Sequence, residues 1–151
     1  MIVHEAVHFS LSLLAVGTVY FFSRKNFWPL WLAALLSGFF VDGDHLFDYF
    51  MYKGSFNFNL AEFFSASYFT EHAYVLLHGF EYAILLFLAA FCIKYLWKKS
   101  GAAAPLLAVL ALSLSFHLIF DMIQYKPRWQ TYFISYRLLH NFELSSFRFQ
   151  P

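Results

Sequence analysis

Four long apolar segments, separated by shorter polar stretches, dominate the hydrophobic pattern of the chain. None of them alternates apolar and polar residues with a period of two, so the pattern favours helices over strands. A helix that crosses a membrane needs about 20 predominantly apolar residues, within a range of about 17 to 25. The sequence therefore predicts four spanning helices, over residues 6–22, 26–41, 73–95 and 102–122.

The connections between these segments differ in length and charge. Residues 23–25 and 94–99 are short connections that carry basic side chains and no acid. Residues 46–72 and the tail at 125–149 are longer and rich in Phe and Tyr, which is typical of segments at a membrane interface. We therefore predict an all-α integral membrane protein, a single domain over residues 1–151. Its expected architecture is a four-helix up-down bundle with interfacial helical segments in the long connection and the tail.

The composition agrees with a membrane protein. Hydrophobic residues make up 61% of the chain and charged residues 13%, about half of the roughly 25% charged residues in soluble domains. These values exclude a disordered chain, a coiled coil and an ordinary soluble enzyme. The net charge of +1 gives no basic field for nucleic acid, and the single cysteine, Cys92, excludes an internal disulfide.

The basic residues predict an orientation in the plasma (inner) membrane, because cytoplasmic loops carry an excess of Lys and Arg. The two short connections contain Arg24, Lys25, Lys94, Lys98 and Lys99. They are therefore expected in the cytoplasm, and the long connection and both termini on the extracytoplasmic side. The basic residues of the tail count against this orientation. The first apolar segment lacks a preceding basic stretch and a following small-residue cleavage site, so it is expected to remain in the mature protein.

The few titratable residues gather at one end of the predicted bundle. In an up-down bundle, the starts of the first and third helices lie on the same side as the ends of the second and fourth. The titratable residues at these places are His4, Glu5 and His8; Asp42, Asp44, His45 and Asp48; His72, His78 and Glu81; and His117 and Asp121. This one-sided cluster of acids and imidazoles predicts a binding site at that end.

Helical spacing places several of these residues on common helix faces. The pairs three or four residues apart are His4 and His8, His78 and Glu81, and His117 and Asp121. At such spacing two side chains lie about 5–6 Å apart on one face, and helical bundles build carboxylate–histidine metal sites from such pairs. An acid at bilayer depth costs at least about 2.5–3.5 kcal/mol, so it needs a cation, a partner or a water-filled cavity.

Several of these residues also have a simpler interpretation. His72 and His140 are typical interfacial or core histidines, and His4 is as readily a solvated side chain as a ligand. The segment Asp42-Gly43-Asp44 is also typical of a turn or a helix cap, and Lys rather than Glu stands at the twelfth position that a calcium-binding EF-hand requires. Asp48 either orients the ligands or lies in a solvated loop.

Taken in order, the motifs resemble the bacterial membrane-bound metal-dependent hydrolase family. That family has an early His in the first helix, a PDxDH motif after the second, a His in a THS-like motif at the third and HxxxD in the fourth. The matching stretches are Val7-His8-Phe9, Val41-Asp42-Gly43-Asp44-His45, Leu77-His78-Gly79-Phe80-Glu81 and His117-Leu118-Ile119-Phe120-Asp121. The resemblance covers about residues 4–125, with Val41 in place of the proline and Glu81 in place of the serine. The HxxxD motif gives a fainter similarity to zinc-dependent phospholipase C.

The resemblance implies a membrane-embedded metal-dependent hydrolase, and the fainter similarity implies a phosphoester or lipid-linked substrate, with membrane lipids as partners. The expected metal ligands are His8, Asp42, Asp44, His45, His78, His117 and Asp121. Imidazole and carboxylate donors suit Zn²⁺, with Mn²⁺ or Fe²⁺ as alternatives. Because the donors exceed the four of one tetrahedral zinc, one or two ions are expected. Glu81 and Asp44 are the catalytic candidates, with Glu81 placed to accept a proton from the attacking water.

Other functions stay open on the sequence. The chain can be a non-catalytic metal-binding membrane protein or a component of metal or proton transport, because intramembrane histidines and acids also line ion pathways. A conduit needs polar residues through the whole membrane depth, whereas Leu13–Val16 and Leu106–Val109 are apolar. Haem bound between two facing histidines is a further interpretation.

Overall fold

A computed structural model describes residues 2–38, 40–65, 69–96 and 101–147. The regular structure within these ranges is helical, and it includes no β-strand apart from an isolated antiparallel bridge between His72 and Glu143. The prediction of an all-α fold is therefore confirmed for the described part of the chain.

Helices of very different length make up this fold. The α-helices are α1 (Ile2–Ser23), α2 (Phe27–Gly38), α3 (His45–Lys53), α4 (Leu60–Ser65), α5 (Phe80–Phe91), α6 (Ala103–Tyr125) and α7 (Ile134–Leu139). A π-helical turn over Cys92–Leu96 extends α5, and 3₁₀ turns cover Phe40–Asp44, Trp129–Tyr132 and Leu144–Phe147.

Two helices are long and apolar enough to cross a membrane, namely His4–Ser23 within α1 and Ala103–Tyr125, which is α6. A third span results if α2 and the segment Phe40–Lys53, which meet at a bend of 41°, are counted together. Large apolar side chains such as Leu14 and Leu36, which are 56% and 60% exposed, lie on the outside of these helices. The structure is therefore consistent with membrane association.

α6 lies at the centre of the fold, because it packs against α1, α2 and α5. Its neighbours α1 and α2 also pack against each other. An apolar cluster fills the space between these three helices at one end, and its members are Ala15, Val16, Leu30, Ala33, Ala34 and Val109. The inward face of α6 thus lies between the other helices.

Contacts between α1 and α6 repeat about every four residues, which is close to one helical turn, and residue numbers fall along α1 as they rise along α6 because the two helices run antiparallel. Val16 and Val109 belong to the apolar cluster, and one turn further Ser12 Oγ lies 3.0 Å from Ser113 Oγ. The following turn stacks the rings of His8 and His117, with 3.9 Å between their centroids. Along the bundle, from Val16 towards the start of α1, the buried side chains between α1 and α6 are therefore first apolar, then hydroxyl-bearing and then imidazoles.

α2 contacts the same successive turns of α6 from another side. Ser113 Oγ donates a hydrogen bond to the Ala34 carbonyl, and His117 Nδ1 donates one to the Gly38 carbonyl at 3.0 Å. A side chain at Gly38 would not fit, because a Cβ there would lie 2.0 Å from Ser12 Oγ and 2.3 Å from Ser113 Oγ. Glycine at this position lets α2 approach the serine pair closely enough to hold His117.

Two helix starts differ from those expected from the hydrophobic pattern. α1 begins at Ile2 rather than near residue 6, so His4 lies on the helix, one turn before His8. α5 begins at Phe80 rather than near residue 73, so His72 and His78 precede the helix instead of lying in its first turns. The backbone of residues 74–78 is bound by side chains of other elements, and those bonds replace helical ones.

Candidate metal centre

Four side chains from three parts of the fold converge one helical turn beyond the pair Ser12 and Ser113. Asp42 lies in the 3₁₀ turn after α2, His78 precedes α5, and His117 and Asp121 lie one turn apart on α6. Each offers one ligand atom, and these four atoms lie within 4.8 Å of one another. Asp42, which directly follows the second predicted segment, therefore meets residues of the third and fourth.

The distances within this four-atom group match those expected around a metal ion. His117 Nε2 is 3.2 Å from His78 Nε2, 3.4 Å from Asp42 Oδ1 and 3.2 Å from Asp121 Oδ2. His78 Nε2 is 3.2 Å from Asp42 Oδ1 and 3.7 Å from Asp121 Oδ2. Zinc bonds of about 2.0–2.2 Å in a tetrahedron place neighbouring ligand atoms about 3.3–3.5 Å apart. An ion of the size of Zn²⁺ therefore fits the group.

Hydrogen bonds to the outer ring nitrogens fix how both histidines face this group. His117 Nδ1 lies 3.0 Å from the Gly38 carbonyl oxygen, and His78 Nδ1 lies 3.1 Å from Asp44 Oδ2. Both oxygens can only accept a hydrogen bond, so each Nδ1 carries the proton. In the neutral ring the other nitrogen, Nε2, then presents a lone pair. Metal-binding histidines are oriented in this way by carbonyl and carboxylate partners.

The group has one open side. His117 and His8 are each 1% exposed and Asp121 is 5% exposed, whereas the side chains of Asp42 and His45 are 22% and 27% exposed. Solvent or a substrate therefore reaches the group from the side of Asp42 and His45.

Asp44 and His45 form an adjoining group with His78. Asp44 Oδ2 accepts hydrogen bonds from His78 Nδ1 and from the Leu77 backbone N–H, the latter at 2.6 Å. His45 Nε2 lies 3.5 Å from Asp42 Oδ1. In this arrangement Asp44 orients His78, and His45 lies at the rim.

Two carboxylate oxygens of this region, Asp42 Oδ2 and Asp44 Oδ1, are buried and lack a hydrogen bond to any residue that the structure describes. A buried anionic oxygen without a partner is costly. A bound cation would compensate these oxygens and the lone pairs of the histidines together.

A buried arginine, which the sequence patterns do not single out, supports His78 from α7. Arg137 is fully buried, and its guanidinium donates to the carbonyls of Tyr74, Val75 and His78, the last at 2.8 Å. Burial lowers the pKa of Arg137, and the nearby carboxylates of Asp44, Glu81 and Asp48 oppose this. The only feature of the sequence that points to a buried role for Arg137 is its position next to the apolar residues Leu138 and Leu139.

Asp48 holds the same loop from the opposite side. Its carboxylate, on α3, accepts hydrogen bonds from the backbone N–H groups of Tyr74 and Val75, the latter at 2.9 Å. The loop that carries His78 is therefore held at its N–H groups by Asp44 and Asp48 and at its carbonyls by Arg137. Of the two interpretations of Asp48, the structure favours the one in which it orients a ligand.

Glu81 lies apart from the four-atom group and binds the start of α7. Its carboxylate accepts hydrogen bonds from the backbone N–H groups of Ile134 and Ser135 and from Ser135 Oγ, at 2.8–3.0 Å. The expected pairing of Glu81 with His78 on one helix face does not arise, because His78 precedes α5. In this position Glu81 anchors α7, the helix that carries Arg137.

The remaining histidines divide between the site and the surface. His4 lies beside His8, with 2.9 Å between their Nε2 atoms. His72 is exposed and pairs through its backbone with Glu143. His140 is exposed at the end of α7, where Nδ1 donates to the Tyr136 carbonyl. His4 therefore joins the cluster, whereas His72 and His140 do not.

No protein-family model matches the chain, and neither curated proteins nor solved structures show a significant similarity to it. The interpretation of the cluster therefore depends on its own geometry.

Proposed function

We propose that the chain is a multi-pass membrane protein with a metal-dependent hydrolase site at one membrane face. The observation that carries this proposal is the convergence of Asp42, His78, His117 and Asp121 at ligand distances. His117 and Asp121 are buried, whereas Asp42 lies on the side that solvent reaches. This arrangement suits a metal-assisted reaction, because the ion must be held firmly and still be reached by a substrate.

The proposed topology is an up-down bundle of α1, α2, α5 and α6, with the metal centre on the extracytoplasmic side. Arg24 and Lys25 follow the end of α1 that lies opposite to His4 and His8. Loops rich in Lys and Arg prefer the cytoplasm, so the opposite end of the bundle faces outward. α3 and α7 then lie near the interface on the side of the site.

The residues have distinct roles in this proposal. Asp42, His78, His117 and Asp121 hold the ion, and Asp44 with Arg137 keeps His78 in place. A bound divalent ion supplies a Lewis acid and lowers the pKa of water, which favours hydrolysis near neutral pH. The choice of Zn²⁺, with Mn²⁺ or Fe²⁺ as alternatives, follows from the mixture of imidazole and carboxylate donors.

The proposed substrate is a phosphoester or a lipid-linked molecule that approaches from the interface. The open side at Asp42 and His45 adjoins α3, where Phe47 and Met51 are 43% and 55% exposed. Apolar side chains at this position can contact acyl chains while a polar head group reaches the ion.

Two alternatives fit the packing less well. A conduit for protons or metal ions would have to pass the apolar cluster, where Ala15, Val16 and Val109 are all fully buried. Haem would have to lie between facing histidines, whereas the rings of His8 and His117 are stacked directly on each other. A non-catalytic metal site is distinguished from the proposed hydrolase by its lack of turnover.

The test is hydrolysis by the purified full chain in detergent micelles. A set of phosphoester and carboxylic-ester lipids is assayed before chelation, after chelation and after addition of Zn²⁺ or Mn²⁺. We expect activity that is lost on chelation, restored by metal, absent in His117→Ala and unchanged in the control His140→Ala. Hydrolysis that survives chelation, or a metal-loaded protein that cleaves none of these lipids, would refute the proposed function.

A further inference from the structure

A second group of ligand atoms lies on the other side of Asp121, towards the start of α1. His8 Nε2 is 3.2 Å from Asp121 Oδ1, and His4 Nε2 is 3.6 Å from the same oxygen. The two Nε2 atoms are 2.9 Å apart. The two distances to Asp121 Oδ1 are close to the ligand spacing of about 3.3–3.5 Å around a tetrahedral ion, and the two Nε2 atoms lie closer together than that spacing.

The two oxygens of Asp121 face different groups. Oδ2 lies nearest to His117, at 3.2 Å, within the four-atom group, whereas Oδ1 faces His8 and His4. A carboxylate arranged in this way can bridge two ions, which in two-metal sites lie about 3.5–4 Å apart. Asp42 also belongs to both groups, because it lies within ligand distance of His4 and His8.

His4 is oriented like the histidines of the first group. Its Nδ1 lies 2.9 Å from Gln124 Oε1, an oxygen that can only accept, so the proton is on Nδ1 and Nε2 presents a lone pair. The rings of Phe120 and Tyr125 pack around the imidazole, with centroids 5.5 and 5.6 Å away. The side chain is thus fixed with its lone pair towards His8 and Asp121.

Protons on neutral histidines do not satisfy this second group. His8 has one ring proton, and both His4 Nε2 and Asp121 Oδ1 would have to accept it. If Nε2 carries that proton, the buried His8 Nδ1 is a lone pair that finds no donor among the described residues. A cation between His4, His8 and Asp121 would satisfy the acceptors together.

We propose that His4, His8 and Asp121 Oδ1 form a second position for a divalent transition-metal ion, and that Asp121 bridges it to the first. This inference rests on the proposed function only in taking the first group as a metal site. Because His8 and Asp121 are 1% and 5% exposed, the second position is the more buried of the two, and a substrate reaches the pair from the side of Asp42.

The experiment is a titration of the chelator-treated full chain, in detergent micelles, with Co²⁺ followed by its visible absorption and with Zn²⁺ followed by elemental analysis. We expect two equivalents for the wild type and for the control His140→Ala, and one equivalent for His4→Ala. His4→Gln, which keeps a polar side chain of similar length, is measured in parallel in case the alanine variant does not fold. Uptake of two ions by a folded His4 variant, or of a single ion by the wild type, overturns the proposal.

The outcome separates this proposal from the hydrolase proposal. A wild type that binds two ions, a His4 variant that binds one, and no lipid hydrolysis would support the second position and refute the enzyme. Wild-type hydrolysis with a single bound ion would support the enzyme and refute the second position.

Discussion

Arg137 holds the loop that carries His78, because its guanidinium binds three backbone carbonyls of that non-helical segment. Its guanidinium contacts the carbonyls of Tyr74, Val75 and His78 from a fully buried position. Each buried carbonyl that loses its donor costs about 1–3 kcal/mol. A lysine has one nitrogen in place of the two that bind here and cannot reproduce the fork.

We predict that Arg137→Lys lowers the metal affinity of the full chain by about 10- to 100-fold, which is the usual effect of removing a side chain that orients a ligand. Isothermal titration with Zn²⁺ measures the affinity, and thermal unfolding in detergent shows whether the variant is folded. The matched control is Arg128→Lys, which changes an arginine outside the cluster. Equal affinity for Arg137→Lys and the wild type would show that His78 does not need this support.

The repeated contacts between α1, α2 and α6 depend on small residues that let the three helices approach one another. Gly38 meets Ser12 and Ser113 at distances that leave no space for a methyl group, and its carbonyl orients His117. Gly17, in α1, lacks such neighbours, since a Cβ there would meet no atom of the described residues within 4 Å. Gly17 therefore serves as the control position for a substitution at Gly38.

We predict that Gly38→Ala destabilises the protein by about 1–3 kcal/mol, the cost of overpacking a close contact, and also weakens metal binding through His117. Gly17→Ala should be neutral, or stabilising by up to about 1 kcal/mol through helix propensity. Unfolding in detergent and Zn²⁺ titration measure both effects. If the two alanine variants behave alike, the close approach of the helices at Gly38 does not hold the site.

The sequence could predict those parts of the site that depend on local spacing. His117 and Asp121 lie on one face of α6 as HxxxD predicts, and His8 and Asp42 reach the same end because neighbouring antiparallel helices bring them there. The start of α5 could not be predicted, because the loop of residues 74–78 is bound by Asp48 and Arg137, which lie 27 and 62 positions from Val75. The pattern of apolar and polar positions along the chain carries no information about such distant polar contacts.

The same distant contacts explain why the sequence spacing pairs Glu81 with His78 and does not single out Arg137. The three-residue spacing of His78 and Glu81 indicates a shared face only if both residues lie in one helix, and α5 begins between them. Arg137 lies in a short helix of the tail, and nothing in its neighbours along the chain indicates that its partners are backbone carbonyls.

For the molecule as a whole, the proposal places the metal centre and α7 outside the cell and the α1–α2 connection inside. We predict that, in a Cys92→Ser background, His140→Cys reacts with a membrane-impermeant maleimide on intact cells. Lys25→Cys should react only after the cells are permeabilised. Labelling of Lys25→Cys from outside, with His140→Cys protected, would reverse the proposed orientation without affecting the metal site.

The central claim is that the one-sided cluster of acids and histidines is a metal centre, and elemental analysis of the purified full chain tests it most directly. After dialysis against dilute Zn²⁺, we predict at least one ion per chain in the wild type and in His140→Ala. The variants His117→Ala and Asp121→Ala should retain substantially less metal than the wild type while remaining folded, with the larger loss in Asp121→Ala because Asp121 faces both groups of ligand atoms. A folded wild type without stoichiometric metal, or an unchanged metal content in both variants, would contradict the claim.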